Sequence, residues 1–171
     1  MFLNKKPSCS YMVIAEEIMK KNVVTMDINE GFEGVIDIIL NTKTDYVIIT
    51  KKNKPVGMVT ERDIIKKLIA NRKRKSKIKL EDAMVKNLVS VESKYNIEQI
   101  SELMQNENIR HIPVIENENL LGIITSTDIV KFTNEIHEKN RRFSIFQNIQ
   151  TGVIIAFFVF LIGYFIIHGL S

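Results

Sequence analysis

Two short stretches carry residue types that could do chemistry. "GMVTERD", Gly57 to Asp63, and "GIITSTD", Gly122 to Asp128, each place a threonine three residues before an aspartate, ahead of an apolar run ("IIKKLI", "IVKF"). Threonine followed at that spacing by an acidic side chain matches a helix capping box, with aspartate where glutamate is usual. The same geometry could receive a ligand. A helix N-terminus presents unpaired N–H groups and partial positive charge, which suits phosphate. The threonine hydroxyl adds a donor, and the carboxylate can accept both hydroxyls of a ribose. Gly57 and Gly122, without side chains, let another group approach the strand end. Capping and binding are compatible, and both stay open.

Catalytic chemistry finds less support. His111, His137 and His168 are scattered, Cys9 is the single cysteine, and there is no HExxH, GxSxG or GxxxxGK[ST] pattern. Neither a metal site nor a triad nor a nucleotide-hydrolysing loop can be assembled from them, so no enzyme and no metal cofactor is expected. His111 is expected to pack at a cleft wall rather than ligate a metal.

The elements that position the two motifs repeat at a constant offset of 65. "EEIMKKNVVTMD", from Glu16, falls on "EDAMVKNLVSVE", from Glu81, without a gap, and Gly57, Thr60 and Asp63 fall on Gly122, Thr125 and Asp128. An offset that never slips marks an internal duplication. Each copy opens with a short β-rich stretch (Val23–Met26; Leu88–Val91). A helix follows, its apolar residues spaced i, i+3, i+4, i+7, i+8 in the first copy (Phe32, Val35, Ile36, Ile39, Leu40) and at Ile97, Ile100, Leu103 and Met104 in the second. "YVIIT" and "HIPVI" are continuous apolar runs that suit strands covered on both faces. A turn, a second strand and a helix opening at Thr60 or Thr125 complete the order β-α-β-β-α, twice. Neither copy of roughly 55 residues buries enough surface alone, so the two should pack together.

Composition bounds the rest. With 171 residues and 45% hydrophobic side chains the chain can build a core. Six positive charges fall in Arg72–Lys79, and taking six from a net +4 leaves the remainder at −2. That run is a solvated connector or a contact for an anionic partner such as lipid headgroups or phosphate. No cleavable signal peptide is visible in "MFLNKKPSCS", and one cysteine excludes an internal disulfide framework. From Ile149 to Leu170 there is no Asp, Glu, Lys or Arg. As a helix these residues would span about 33 Å, against about 30 Å of hydrocarbon. A buried core helix would carry a polar stripe that this segment lacks. Lys139, Arg141 and Arg142 precede it, so the sequence predicts a C-terminal transmembrane anchor with the repeats in the cytoplasm.

The paired copies, the two motifs and "RHIPVI" ahead of the second resemble the cystathionine-β-synthase (CBS) domain pair, or Bateman module, over about Met12 to Phe132. The resemblance implies a pseudo-twofold pair whose sheets meet and leave two clefts commonly occupied by adenine nucleotides (AMP, ADP or ATP). Carried over by position, Asp63 and Asp128 hold ribose, Thr60 and Thr125 face phosphate, and Thr25 and Ser90 take a small polar place bordering each pocket. Arg62 fits a phosphate-facing basic position, or is a solvated arginine at a helix start. His111 lies in the segment that frames the adenine. Two departures make the clefts unequal: Thr127 stands where the first copy has Arg62, and "TDYVIIT" lacks the Arg and Pro of "IRHIPVI".

The fold expected is therefore α+β: duplicated β-α-β-β-α units packed as a pseudo-twofold pair, then one C-terminal transmembrane helix. The organisation expected is an N-terminal extension (1–11), a first unit (12–70), a basic linker (71–79), a second unit (80–132), a connecting helix (133–148) and a membrane span (149–170). The function expected is a membrane-tethered regulatory module that binds an adenine nucleotide, forms a homodimer and signals to a membrane effector. The rival readings are a scaffold with empty clefts and, behind it, a nucleic-acid binder acting through residues 72–79.

Overall fold

The computed structural model of the protein describes residues 12–70 and 78–168. Cys9 and most of the basic run lie outside them. The chain divides into two compact units, Met1–Ile129 and Val130–Ser171, and both duplicated copies have their sheets in the first.

The first copy contains a short helix α1 (Ala15–Ile18), strand β1 (Thr25–Asp27), a 3-10 turn (Ile28–Glu30), helix α2 (Gly31–Thr42), strands β2 (Tyr46–Lys51) and β3 (Lys54–Thr60), and helix α3 (Glu61–Ala70). The second runs α4 (Leu80–Ala83), α5 (Ile97–Asn106), β4 (His111–Glu116), β5 (Asn119–Thr125) and α6 (Ser126–His168). β1 pairs parallel with β2, which pairs antiparallel with β3. β4 and β5 form the second antiparallel pair, and the short strand expected over Leu88–Val91 is reduced to one parallel bridge, Val91 to Val114. Both hairpins turn through two left-handed residues, Lys52–Asn53 and Asn117–Glu118, the conformation that fits tight two-residue hairpins. Each carries a register shift at the same place, between Ile49 and Thr50 and between Val114 and Ile115. The duplication is thus repeated down to its irregularities.

Alternation along the strands explains their continuous apolar character. Val47, Ile49 and Val59 point into one core with Phe32, Val35 and Ile39 of α2. Ile112, Val114 and Ile124 point into a second with Ile100 and Met104 of α5. The opposite faces supply Tyr46, Ile48, Met58 and Ile123 to a shared layer between the sheets. Each sheet is covered by helices on one side and by its copy on the other, as two half-cores too small to stand alone require.

The short lead helices are exchanged. Leu80 and Ala83 of α4, with Ile78 and Met84, pack into the core of the first copy. Ala15 of α1, with Ile18 and Met19, packs into the core of the second. Backbone pairs fix the exchange: Val85 bridges Met58 of β3, and Lys20 bridges Ile123 of β5. This explains Gly57 and Gly122. A Cβ on Gly57 would stand 2.7 Å from Met84 Sδ and 3.1 Å from the Val85 oxygen; one on Gly122 would stand 2.7 Å from Met19 Sδ and 2.9 Å from the Lys20 oxygen. The group that approaches the strand end is the protein's own chain.

The transmembrane helix expected over 149–170, and the membrane localisation built on it, are corrected by the structure. Among the described residues no helix is long and apolar enough to cross a membrane. Residues 149–168 do not form an element of their own. They are the distal part of α6, a 43-residue helix that opens at Ser126 and carries Asp128, Lys131, Glu135, Glu138 and Arg141 along its earlier turns. Many side chains of the apolar run, and residues 169–171, lie outside the described residues.

Candidate functional site

The two motifs fold identically. At the end of β3, Asp63 Oδ2 accepts from the Thr60 N–H (3.0 Å) and from the Thr60 hydroxyl (2.6 Å), while the Asp63 N–H donates to Thr60 Oγ1 at 3.4 Å. At the end of β5 the corresponding distances for Asp128 and Thr125 are 3.0, 2.6 and 3.3 Å. Both are capping boxes. The threonine hydroxyl that could face phosphate donates to its own aspartate here, so it must rotate away to meet a ligand.

What surrounds the boxes differs. An open cleft of about 550 Å³ lies at the first motif. Thr60, Arg62 and Asp63 line it from the β3–α3 junction, Val85 and Asn87 to Val89 line part of it from the chain after α4, and Asn108 to His111 close it from the entry to β4. Among the described residues no side chain pairs with Asp63 Oδ1. Arg62, Lys66 and Arg110 bring positive charge to this cleft, against Asp45, Glu61 and Asp63.

At the second motif Asp128 is 8% exposed, and its Oδ1 lies 2.8 Å from the Lys20 ammonium. Burial pushes the Asp128 carboxyl up, but the hydrogen bonds from Lys20 and from the Thr125 hydroxyl and N–H outweigh it, so the group sits below the ordinary carboxylate value. A depressed carboxylate adds stability above its unfolded pKa and loses it as pH falls through the folded value. The parent protein is therefore expected to exceed Asp128→Asn in stability at neutral pH by about 1 kcal/mol, a modest figure because Lys20 is half-exposed. Thermal melts between pH 7 and 3 should show that gap closing on acidification; a gap independent of pH would remove the ion pair from the account.

Between the two motifs the copies meet through equivalent residues. Tyr46 and His111 occupy the same position of the repeat, and their rings face each other at 5.1 Å. His111 Nε2 lies 3.0 Å from Asp45 Oδ2. Burial, then the charges of Asp128 and Asp45, push the Tyr46 phenol up. His111 is buried against the cleft wall, and among the described residues no group of side chains could hold a metal ion.

Of the residues singled out in the sequence, the structure brings Thr60, Arg62, Asp63 and His111 to one cleft. Thr125 and Asp128 lie together at the other motif. Thr25 is exposed on β1 at the register of Ile48, and Ser90 is exposed directly after the lining residues Asn87–Val89. Sequence reasoning missed Arg110, which enters the first motif's cleft from the second copy, and Lys20. Arg110 was visible as a difference from Asp45 and Lys20 as a difference from Val85, but neither difference names a partner.

Two packed copies of this sheet-and-helix unit, with matched capped motifs and a cleft at the first of them, define a paired module of duplicated units. A CBS domain model matches residues 15–70 and 80–135. The chain belongs to the CBS domain family. A Bacillus subtilis protein, YlbB, is 32% identical over 119 residues, covering 70% of this chain and 72% of its own. A Methanopyrus kandleri protein is 31% identical over 120 residues, covering 67% of this chain and 60% of its own. The inosine-5'-monophosphate dehydrogenase of Methanocaldococcus jannaschii is 29% identical over 119 residues, 68% of this chain but 23% of that enzyme. The chain thus spans less than two thirds of the length of several relatives. Among solved structures, the hexameric CBS-CP12 protein of bloom-forming cyanobacteria gives a TM-score of 0.64 at 30% identity, covering 71% of this chain and 68% of its own. The CBS domain pair of protein MJ0100, solved with 5'-methylthioadenosine and S-adenosyl-L-methionine, gives 0.65 at 23% identity, covering 72% and 98%, and shows the shared fold.

Proposed function

We propose that the first cleft binds an adenosine-containing ligand and that the pair is a regulatory sensor, reporting occupancy to a partner protein rather than catalysing a reaction. One observation carries this reading. Asp63 is held by Thr60 through one oxygen and offers the other to a cleft large enough for a nucleoside. A carboxylate so placed accepts the two hydroxyls of a ribose. The α3 N-terminus and Arg62 face the phosphate side, while His111 and the chain before it shape the base pocket. The adenosine ligands bound by the MJ0100 pair support the ligand class. Thr125 and Asp128 at the second motif belong to the same proposal in weaker form, since the Asp128 carboxylate is already engaged, and Thr25 and Ser90 belong to it as the small polar positions bordering the clefts.

Calorimetric titration of the full chain with AMP, ADP and ATP tests the reading. Asp63→Ala is expected to lose about 1.5–3 kcal/mol of binding, the worth of hydrogen bonds to a charged group, or roughly ten- to a hundred-fold. Because the cap is lost too, a fall in stability of about 0.5–2 kcal/mol should accompany it. Arg62→Ala should flatten the preference between mono- and triphosphate and leave adenosine binding nearly intact. An Asp63→Ala protein that melts lower yet binds like the parent would reduce the motif to a helix cap. Light scattering on the same samples reports whether two copies pair, the homodimer being part of this proposal; a strict monomer at tens of micromolar removes it.

A further inference from the structure

The two motifs match in backbone and differ in charge at one crossing point. Val85 crosses β3 at Met58, donating to its oxygen at 2.8 Å and accepting from its N–H at 3.1 Å. Lys20 crosses β5 at Ile123 in the same way, at 2.9 and 3.0 Å. Lys20 and Val85 are 65 positions apart, so they are one position of the repeat carrying two chemistries. Valine beside the first motif leaves Asp63 Oδ1 to the cleft. Lysine beside the second places an ammonium 2.8 Å from Asp128 Oδ1, while Thr125 holds Oδ2. Both oxygens of Asp128 are then engaged, and the carboxylate is buried.

A vicinal diol reaching Asp128 must displace that ammonium, trading a charge-assisted contact for neutral hydroxyl donors, which are weaker. At Asp63 the diol displaces nothing but water. We propose that Lys20 closes the second motif to ribose, so that the pair reads ribose at a single site, Asp63, and that the residue crossing the motif strand decides which site is open. This rests on the reading of the clefts as adenosine sites.

Exchanging the two side chains tests it, with calorimetry against ATP and AMP on the full chain and thermal melts in parallel. The parent is expected to bind with one site per chain. Lys20→Val, which makes the second motif like the first, should raise this to two. Val85→Lys, which places an ammonium beside Asp63, should weaken the parent site at least tenfold. In the double exchange the single site should move, so that Asp128→Ala rather than Asp63→Ala abolishes binding. Two sites in the parent, or one in a folded Lys20→Val, overturns the inference while leaving the adenosine reading standing. If Lys20→Val fails to fold because it strands a buried carboxylate, Val85→Lys decides, and unchanged affinity there overturns the inference. No binding by any of these proteins removes the adenosine reading itself, and the inference with it.

Discussion

Expressed separately, residues 12–70 and 78–168 will each fail to give a cooperative thermal transition, and mixing them will restore one. The exchange of lead helices is the reason. A first half on its own lacks Leu80 and Ala83, which complete its core, and a second half lacks Ala15 and the Ile18 and Met19 packed beside it. Both lose the shared layer of Tyr46, Ile48, Met58 and Ile123. Deleting one buried leucine side chain costs about 2–5 kcal/mol, and a domain's whole stability is about 5–15 kcal/mol. Several such losses together exceed what a half can hold. Circular dichroism melts of each fragment and of the mixture measure this directly, with Leu80→Ala in the intact chain as a milder form of the same lesion. A fragment that melts cooperatively alone would show that the lead helices are accessories.

Gly122→Ala carries the next largest expected effect. Its Cβ would lie 2.9 Å from the Lys20 carbonyl oxygen, a backbone atom pinned by its pair with Ile123, as well as 2.7 Å from Met19 Sδ. Overpacking of this kind costs about 1–3 kcal/mol, or several degrees of melting temperature in a chain of this size. Gly57→Ala meets a flexible Met84 side chain and a more distant oxygen at 3.1 Å, so it should cost less. Equal shifts in the two variants would mean that both crossing segments yield freely and that the glycines have another cause.

Much of the fold was written locally. The capping pattern and the apolar strand runs depend on residues close together in the chain and the duplication on a constant offset of 65, and the structure follows them. Leu40 shows where a local rule overreached. Its i+8 spacing from Phe32 puts it on the apolar face of α2, but the buried residues Phe32, Val35 and Ile39 define a narrower stripe, and Leu40 stands about 100° away from its centre by helical geometry; it is 73% exposed. Its counterpart, Gln105, already pointed to an exposed position. The exchange was not legible, because apolar residues in "EEIMKKNVV" declare that they are buried without declaring in which copy. Gly57 and Gly122 mark places of close approach, but nothing in the sequence tells whether a ligand or the protein's own chain approaches them. The same blindness hid Lys20: its partner, Asp128, is brought near only by the crossing of β5. The C-terminal segment is a different case: its freedom from charge suggests a membrane span, but among the described residues no helix is long and apolar enough to cross a membrane.

The ring contact between Tyr46 and His111 has a consequence for how this chain can diverge. At the axis relating two copies of a duplicated unit, a position faces its own duplicate, so one ancestral residue had to be compatible with itself. Once the copies differ, that constraint becomes a pact between two codons. A change at 46 is judged by what stands at 111, and the reverse, although each codon lies in a different half of the gene. A tyrosine facing a histidine has left self-matching behind, and with it the freedom of either half to pair with a copy of itself: joined in the opposite order, the two halves would still meet the same neighbour across the axis, and each lead segment would still cross the other half's strand.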